Sequence, residues 1–498
     1  MLPKFKNKLL PLSLAISATL LTGCGSDDKN TAPELTGDLM PVVAENTLAV
    51  GQYTATDVNN DNITLSLNDA ANALFTLEQS GALSFKVAPD FDNGDTGPFN
   101  VTITATDDGK GALSTALAIS ITVGDVKDTP SVAVVQTIAP DYSNSEVAYL
   151  DAKSQQVASG YYRKDASDYT LSSYKGDVFH IGRFFIDEIT KYNANDVASR
   201  DTAIWSYSTN DAGDTSRNPY ALVSLSETKA YLLRYGSSKV WIVNPQVGRE
   251  DEANFKIGEL DLTSYVHADN SSGTPNPAAA VITDGKLYIA MQRQNDSYTA
   301  GTAYVAVFDT ATDTEIETNA NANDNVKGIP LEGVNPLEHS LVANEDKVFI
   351  TTRSRYSSSE LSLSRIEEIN TGDYKVSQVL NASDIDDNTA SFIKASVVVS
   401  PEKGYFYASQ AIFTPSYHEV SSLYEFNPTT GAIVTTGVAD TGTENISFIG
   451  LDAANFLWVS IANPSLPGVD VIDTTTNTKR INRLATLLNP GTIRFIEE

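Results

Sequence analysis

The sequence predicts an all-β protein: a Greek-key sandwich followed by a seven-bladed β-propeller closed by strands from both ends of its domain. Three observations carry this. Short runs of apolar and aromatic residues bounded by Gly, Ser, Asn, Asp and Pro fill the chain from about residue 33 onward, which is the signature of strands and turns. From residue 169 a strand-rich unit recurs at intervals of about fifty residues, a period expected of propellers and arrays. Strands left over at the two ends of the repeated region supply one further unit between them, which removes the need for an exposed sheet edge.

The stretch Asn218–Pro245, NPYALVSLSETKAYLLRYGSSKVWIVNP, is the clearest copy of the unit. Ala221–Ser226 is followed by Lys229–Arg234 after a two-residue turn, and by Lys239–Asn244 after Gly-Ser-Ser. A meander of this kind cannot bury both faces alone and requires stacked neighbours.

The chain has 498 residues, 41% hydrophobic and 19% charged, which fits a globular protein of two or three domains. A formal net charge of -29 excludes nucleic acid as a partner, because its phosphates would be repelled. One cysteine excludes an intramolecular disulfide. That cysteine lies in a leader-like segment. Lys4, Lys6 and Lys8 precede an apolar run, Leu9–Leu21, that is too short to span a bilayer. Leu21-Thr22-Gly23-Cys24 resembles the lipobox of bacterial lipoproteins. The resemblance implies a signal peptide over 1–23, acylation of Cys24, a tether over 24–32, and, from Gly25-Ser26 with no Asp directly after Cys24, sorting to the outer membrane of a Gram-negative envelope.

Residues 33–130 read as the sandwich, with strands expected at Ile63–Leu67, Phe75–Leu77, Leu83–Val87, Phe99–Ala105 and Leu117–Val123. Acidic and amide side chains collect at the turns between them. A hard cation such as Ca²⁺ takes six to eight oxygen ligands of this kind. Ala44-Glu45-Asn46-Thr47, Ala105-Thr106-Asp107-Asp108-Gly109 and Asp125-Val126-Lys127-Asp128-Thr129-Pro130 resemble the motifs of a cadherin-like repeat. The resemblance implies Ca²⁺ bound by Glu45, Asp57, Asn59, Asp61, Asp90, Asp92, Asp107, Asp125 and Asp128. Two departures are Lys127, where the family usually has Asn, and the lack of a second sandwich. The alternative is that these acids are ordinary turn residues.

Residues 131–498 read as the propeller. Unit one is Tyr169–Tyr174, Val178–Arg183, Glu188–Tyr192 and Ala203–Tyr207; unit two is the stretch above, closed by Lys256–Leu262. Unit three is Ala278–Ile282, Lys286–Met291 and Ala303–Asp309, with Lys327–Leu331 outermost; unit four is Leu341–Ala343, Lys347–Arg353, Leu363–Asn370 and Val376–Leu380. Unit five is Ala395–Val399, Tyr405–Ser409, Ser422–Asn427 and Ile433–Val438; unit six is Ile446–Leu451, Phe456–Ile461, Val469–Asp473 and Ile481–Leu487. Val132–Ile138, Glu146–Leu150, Val157–Tyr162 and Thr492–Ile496 make the seventh. Tyr231-Leu232-Leu233-Arg234-Tyr235-Gly236 and Val471-Ile472-Asp473 resemble the YVTN-type family of bacterial surface propellers, over most of residues 200–490. The resemblance implies the fold and says little of function.

Four second strands end in a cation: Arg183, Arg234, Arg293 and Arg353. They either pair with acids of the adjoining blade or converge on the channel mouth as an anion-binding site. The Asn-Pro steps at 218, 276, 335 and 489 read as strand-entry turns. Long loops bring Tyr298, Tyr356, Phe413, Tyr417 and His418 to the same face. No metal-protease, nucleophile-elbow, phosphate-loop or dinucleotide motif is present, and the four histidines are scattered. The sequence therefore predicts a non-enzymatic, lipid-anchored envelope protein for binding or adhesion, with a Ca²⁺-stiffened stalk. Its expected partners are the membrane and another surface protein, a glycan or an anionic small molecule. A second reading is a ligand-capturing partner of an outer-membrane transporter, and a third an envelope hydrolase or lyase.

Overall fold

The computed structural model describes residues 29–496 apart from 46, 90, 92–94, 125–131, 212, 214, 319–325, 357–359, 386–390, 415–416, 437 and 439–443. Cys24, Asp90, Asp92, Asp125 and Asp128 lie outside the described residues. The chain divides into two compact units, Met1–Lys127 and Asp128–Glu498. Among the described residues no helix is long and apolar enough to cross a membrane.

In the smaller unit one sheet runs in the order Val42–Ala44, Ser114–Gly124, Phe99–Asp107, Ile63–Leu67. A second runs Ala49–Gln52, Ala82–Phe85, Phe75–Leu77. Alternation places Val101, Ile103, Ala105, Ile119 and Ile121 inward, where they meet Phe75, Leu83 and Phe85. The strand expected at Leu83–Val87 is Ala82–Phe85 instead, and a six-residue helix, Asp69–Leu74, intervenes before Phe75. Phe99 is paired with Ile121 and Thr106 with Ser114. Asp107 and Gly124 are therefore at opposite ends of this sheet.

Among the described residues the larger unit is built from seven antiparallel sheets. Sheet I holds Gln156–Lys164, Ser145–Asp151, Val132–Ile138 and, paired with the last of these, Asn489–Phe495 from the far end of the chain. Sheets II to VII follow in sequence order, beginning with Tyr169–Tyr174, Pro219–Ser226, Pro277–Thr283, Pro336–Asn344, Phe392–Ser400 and Ile446–Leu451. Each of these first strands contacts that of the next sheet, and Asn489–Phe495 contacts both Ile446–Leu451 and Tyr169–Tyr174.

The packing explains the composition of the repeat. In Lys229–Arg234, Ala230 and Leu232 join a core with Phe179 and Ile181 of sheet II, while Tyr231 and Leu233 join one with Leu287 and Ile289 of sheet IV. Both faces of the strand are buried, so a run apolar at every position replaces simple alternation. A separate core lies between each consecutive pair of sheets, and another joins Ala133 and Val135 of sheet I to Trp458 and Val469 of sheet VII. The expected outer strand at Lys327–Leu331 is a correction: two short segments, Thr314–Glu315 and Ile329–Pro330, both pair with Tyr304–Asp309.

Turn chemistry is local. Asn218, Asn276 and Asn335 sit at φ of 50°, 57° and 64° before their prolines. Asn tolerates this left-handed conformation better than most residues, and the proline then sets the extended entry to the strand. Asp309, Asn427 and Asp473 each accept backbone N–H bonds two residues on, closing tight Asx turns.

Candidate functional site

The first strand of sheet V departs from the repeat. Pro336 is opposite Thr352 and Leu341 opposite Ile350, so the register slips across residues 337–340. This bulge holds His339 at φ 64°, a conformation that costs a residue with a Cβ roughly 1–2 kcal/mol. It turns Glu338 toward Thr170 and Arg183, and His339 toward the channel among the first strands. Glu338 and His339 lie deep in the protein yet keep 18% and 21% of their side-chain surface exposed.

A hydrogen-bonded chain fixes these two residues. Thr170 Oγ1 donates to Glu338 Oε1 over 2.6 Å. Arg183 Nη1 donates to Glu338 Oε2, and its Nε donates over 2.7 Å to Asp168 Oδ1. His339 Nε2 lies 3.1 Å from both Glu338 Oε1 and Thr492 Oγ1. Arg494 Nη2 is 3.0 Å from His339 Nδ1. A guanidinium can only donate, so Nδ1 is the acceptor and the ring proton sits on Nε2, directed at Glu338. Burial would raise the Glu338 pKa, but the Arg183 charge, with the His339 ring and the Thr170 hydroxyl, holds the carboxyl well below the usual range. Burial keeps His339 below its ordinary value despite the pull of Glu338. Burial also pushes Arg494 down to about 10, against the attraction of Glu338. At neutral pH the set is therefore an ionised carboxylate, a neutral imidazole and a guanidinium.

His339 and Arg494 line a cavity of about 700 Å³. The first strands form its wall, with Ser172, Ser396, Asn344 and Asn455 among the polar groups. Arg494 is the only lysine, arginine or acid among the described lining residues. Among the described residues Arg494 is held by the neutral His339 ring, the Ile493 carbonyl and the face of Phe448, and a half-buried cation with no carboxylate bonded to it is suited to an anion. Sequence reasoning missed this pair because its strand assignment began at Leu341. The signal was the polar Glu338-His339 step one residue after Asn335-Pro336, in a position that is Ala279-Ala280 in sheet IV.

The four predicted arginines take separate places. Arg183 pairs with Asp168 and Glu338 and joins the channel chain. Arg234 is fully buried, 3.1 Å from Asp211 and over the Trp241 ring at 4.1 Å. Arg293 donates to the carbonyls of Tyr265 and Thr302 and lies over Tyr304. Arg353 lies over Tyr356 and Phe392, and its Nε and Nη1 are buried with no hydrogen-bond partner among the described residues.

The predicted calcium ligands divide between two ends of the smaller unit. Glu45 is buried beside Gly124 and accepts from the Phe91 N–H at 2.8 Å. At the other end, Asp57 Oδ1 accepts the N–H groups of Asn59 and Asp61, while Asp107 Oδ1 accepts those of Gly109 and Leu113. Each leaves its Oδ2 buried and unpaired, as does Asn30 its Oδ1. Asn30 Nδ2 is 2.9 Å from Asp107 Oδ1. A Cβ at Gly109 would meet Asp61 Oδ2 at 2.2 Å and Asn30 Cγ at 2.7 Å, so these groups crowd one point. Burial and then the charges of Asp57, Asp107 and Asp108 raise the Asp61 pKa. Asn59 instead accepts from the Thr31 N–H, fastening the start of the unit. No group of three His, Cys, Asp or Glu side chains among the described residues is gathered for a metal. The orphaned oxygens of Asp57, Asp107 and Asn30 are nevertheless the donors a hard cation requires.

The larger unit is thus a propeller-like all-β fold with a polar site in its channel. No family model matches the chain, and no curated protein matches it in sequence. Solved structures do. A candidate 6-phosphogluconolactonase from Bacteroides uniformis superposes with a TM-score of 0.50 at 10% identity, covering 74% of this chain and 100% of its own. A counterpart from Bacteroides fragilis gives 0.47 at 13%, covering 75% and 100%. A periplasmic gluconolactonase of Pseudomonas aeruginosa gives 0.48 at 14%, covering 73% and 98%. Such identities show the fold alone. The first of these structures corrects the expectation that the chain is not an enzyme, because the same fold occurs in a protein named as a candidate 6-phosphogluconolactonase. A site assembled across sheets leaves no local motif, so the lack of one was not a sound exclusion.

The ionised state of Glu338 has a measurable consequence. Its folded pKa lies below the unfolded one, so its stabilisation is present above roughly pH 4.3 and lost as pH falls through the folded value. The melting-temperature gap between wild type and Glu338→Gln should be widest above about pH 5 and narrow towards pH 3. A gap independent of pH would contradict the ionised pair.

Proposed function

We propose that this is a cell-envelope protein, anchored to the outer membrane through acylated Cys24, whose seven-bladed propeller is closed by both ends of its domain. We infer that it hydrolyses a small anionic ester or lactone in the channel. One observation carries the reading: His339 donates Nε2–H to ionised Glu338, while its Nδ1 faces Arg494 at the edge of the cavity.

The chemistry follows from that geometry. An anionic group entering the cavity draws Arg494 into a charge-assisted bond, and Nδ1 is released from its donor. The freed nitrogen removes a proton from water as the water oxygen attacks the acyl carbon. Glu338 stabilises the imidazolium that forms. The tetrahedral intermediate expels the alkoxide, the acyl C–O bond breaks, and the imidazolium proton passes to the leaving oxygen. A lactone gives a hydroxy acid, and an open-chain ester gives a carboxylic acid and an alcohol, with the water consumed and His339 restored. The structural neighbours contribute the fold; the substrate class rests on the channel groups. This site favours small-molecule chemistry over adhesion.

His339→Asn should lower kcat/KM for a lactone or ester substrate by about 10²- to 10⁴-fold. The acid limb of the wild-type profile should have its midpoint below 6.5, the imidazole's ordinary value. An unchanged rate in His339→Asn across a panel of sugar lactones and carboxylated esters that wild type turns over would refute this role.

The smaller unit, related to cadherin-like repeats by its motifs, is proposed to bind Ca²⁺ through Asn30, Asp57, Asp61 and Asp107. The support is their unpaired or crowded oxygens. Bound Ca²⁺ would neutralise mutually repelling carboxylates and fasten Asn30 to the sandwich. At free Ca²⁺ about a hundredfold above Kd, linkage gives about 2.7 kcal/mol of stabilisation. Calorimetry should therefore show a Ca²⁺-dependent rise in melting temperature that Asp107→Asn abolishes. The same melting temperature with Ca²⁺ and with chelator would reject the site.

A further inference from the structure

Every exposed Tyr or Phe among the described residues of the larger unit lies on one face. Tyr142, Phe185, Tyr298, Tyr356, Phe413 and Tyr417 all stand in loops between the second and third strands of their sheets, counted outward from the channel. Tyr298 is 81% exposed and Tyr356 66%. Exposed rings gathered on one face of an acidic protein mark a contact surface. They are spread over the loops of five sheets, with only Phe413 and Tyr417 sharing one, among Asn, Asp, Ser and Gln, and do not merge into the continuous apolar centre of a protein interface. Ring faces alternating with hydrogen-bonding groups match the alternating C–H faces and hydroxyls of a sugar chain.

Arg353 adds a charge requirement. Its guanidinium is stacked 4.2 Å from the Tyr356 ring centre and 5.0 Å from that of Phe392. The nearby acid, Glu419, is taken by Lys394 at 2.8 Å and by the Tyr417 hydroxyl at 3.1 Å. Arg353 therefore keeps the N–H groups of two buried nitrogens, Nε and Nη1, unused, a costly state unless a ligand supplies acceptors. A planar carboxylate fits the edge of a guanidinium whose faces are covered by rings. A dense polyanion does not suit a chain of net charge -29, whereas one carboxylate among neutral sugars does.

We propose that the junction of sheets V and VI is a binding subsite for a carboxylate-bearing, uronate-type sugar unit of an otherwise neutral glycan. Arg353 takes the carboxylate, and Tyr356 and Tyr417 take the sugar faces and hydroxyls. This subsite is separate from the channel chemistry and stands whether or not His339 is a base.

The test is titration calorimetry of the full chain with a tetrasaccharide of three neutral sugars and one glucuronate, and with the same molecule reduced to the alcohol. The acidic form should bind at least about tenfold more tightly than the reduced form, the scale of one charge-assisted hydrogen bond. Arg353→Gln should erase that preference with an unchanged melting temperature, and Arg353→Lys should restore it only in part. Equal affinity of wild type for the two sugars, or binding of neither, would overturn the proposal without recourse to any variant. A preference that survives in Arg353→Gln would overturn it as well, as would retention of a protein partner by a surface that ignores both sugars.

Discussion

Burial of each sheet of the larger unit on both faces is the constraint from which the rest follows. A middle strand such as Lys229–Arg234 has no solvent face, so its interior must be apolar at successive positions. Polar chemistry is confined to strand ends, connecting loops and the channel. Sheet V uses the channel. Its register slip brings Glu338 and His339 out of the ladder, and the Glu338 charge is tolerated there because Thr170 and Arg183 satisfy it from sheet II, while Arg494 bonds the His339 ring. The bulge, the left-handed His339 and the depressed Glu338 pKa are one arrangement, since each requires the others.

The same constraint decided what could be read in advance. Strands buried on both faces announce themselves as apolar runs between turn residues, and Tyr169–Tyr174, Lys229–Arg234, Lys286–Met291, Lys347–Arg353 and Ile446–Leu451 have the bounds their pattern predicts. Where a strand is short and exposed the pattern fades, as in the outer edge of sheet IV. Side-chain pairing was not legible. Nothing local to Arg183 announces that Glu338, 155 positions away, will take its guanidinium. Arg234 has the same strand-end position as Arg353, yet Asp211 and Trp241 claim the first and no acid claims the second among the described residues.

In the smaller unit the acidic turns were legible as a class, but their grouping was not. Strand register sends Glu45 and Asp107 to opposite ends of the sheet, so the acids do not serve a single centre. Asn30, read as part of the tether, instead lies beside Asp107, because a short polar side chain near the first strand can reach a turn eighty residues on. Both units thus place oxygen and nitrogen groups where the apolar pattern ends, and only the fold says which of them meet.

The central claim is the protonation pattern of the channel: Glu338 ionised, His339 neutral, its proton on Nε2. Nitrogen-15 resonances of the His339 ring, assigned by comparison with His339→Asn and followed from pH 4 to 8, report this directly. The account predicts a neutral ring at pH 7 with Nε2 protonated, and titration below 6.5. A charged ring at pH 7, or a proton on Nδ1, would contradict it.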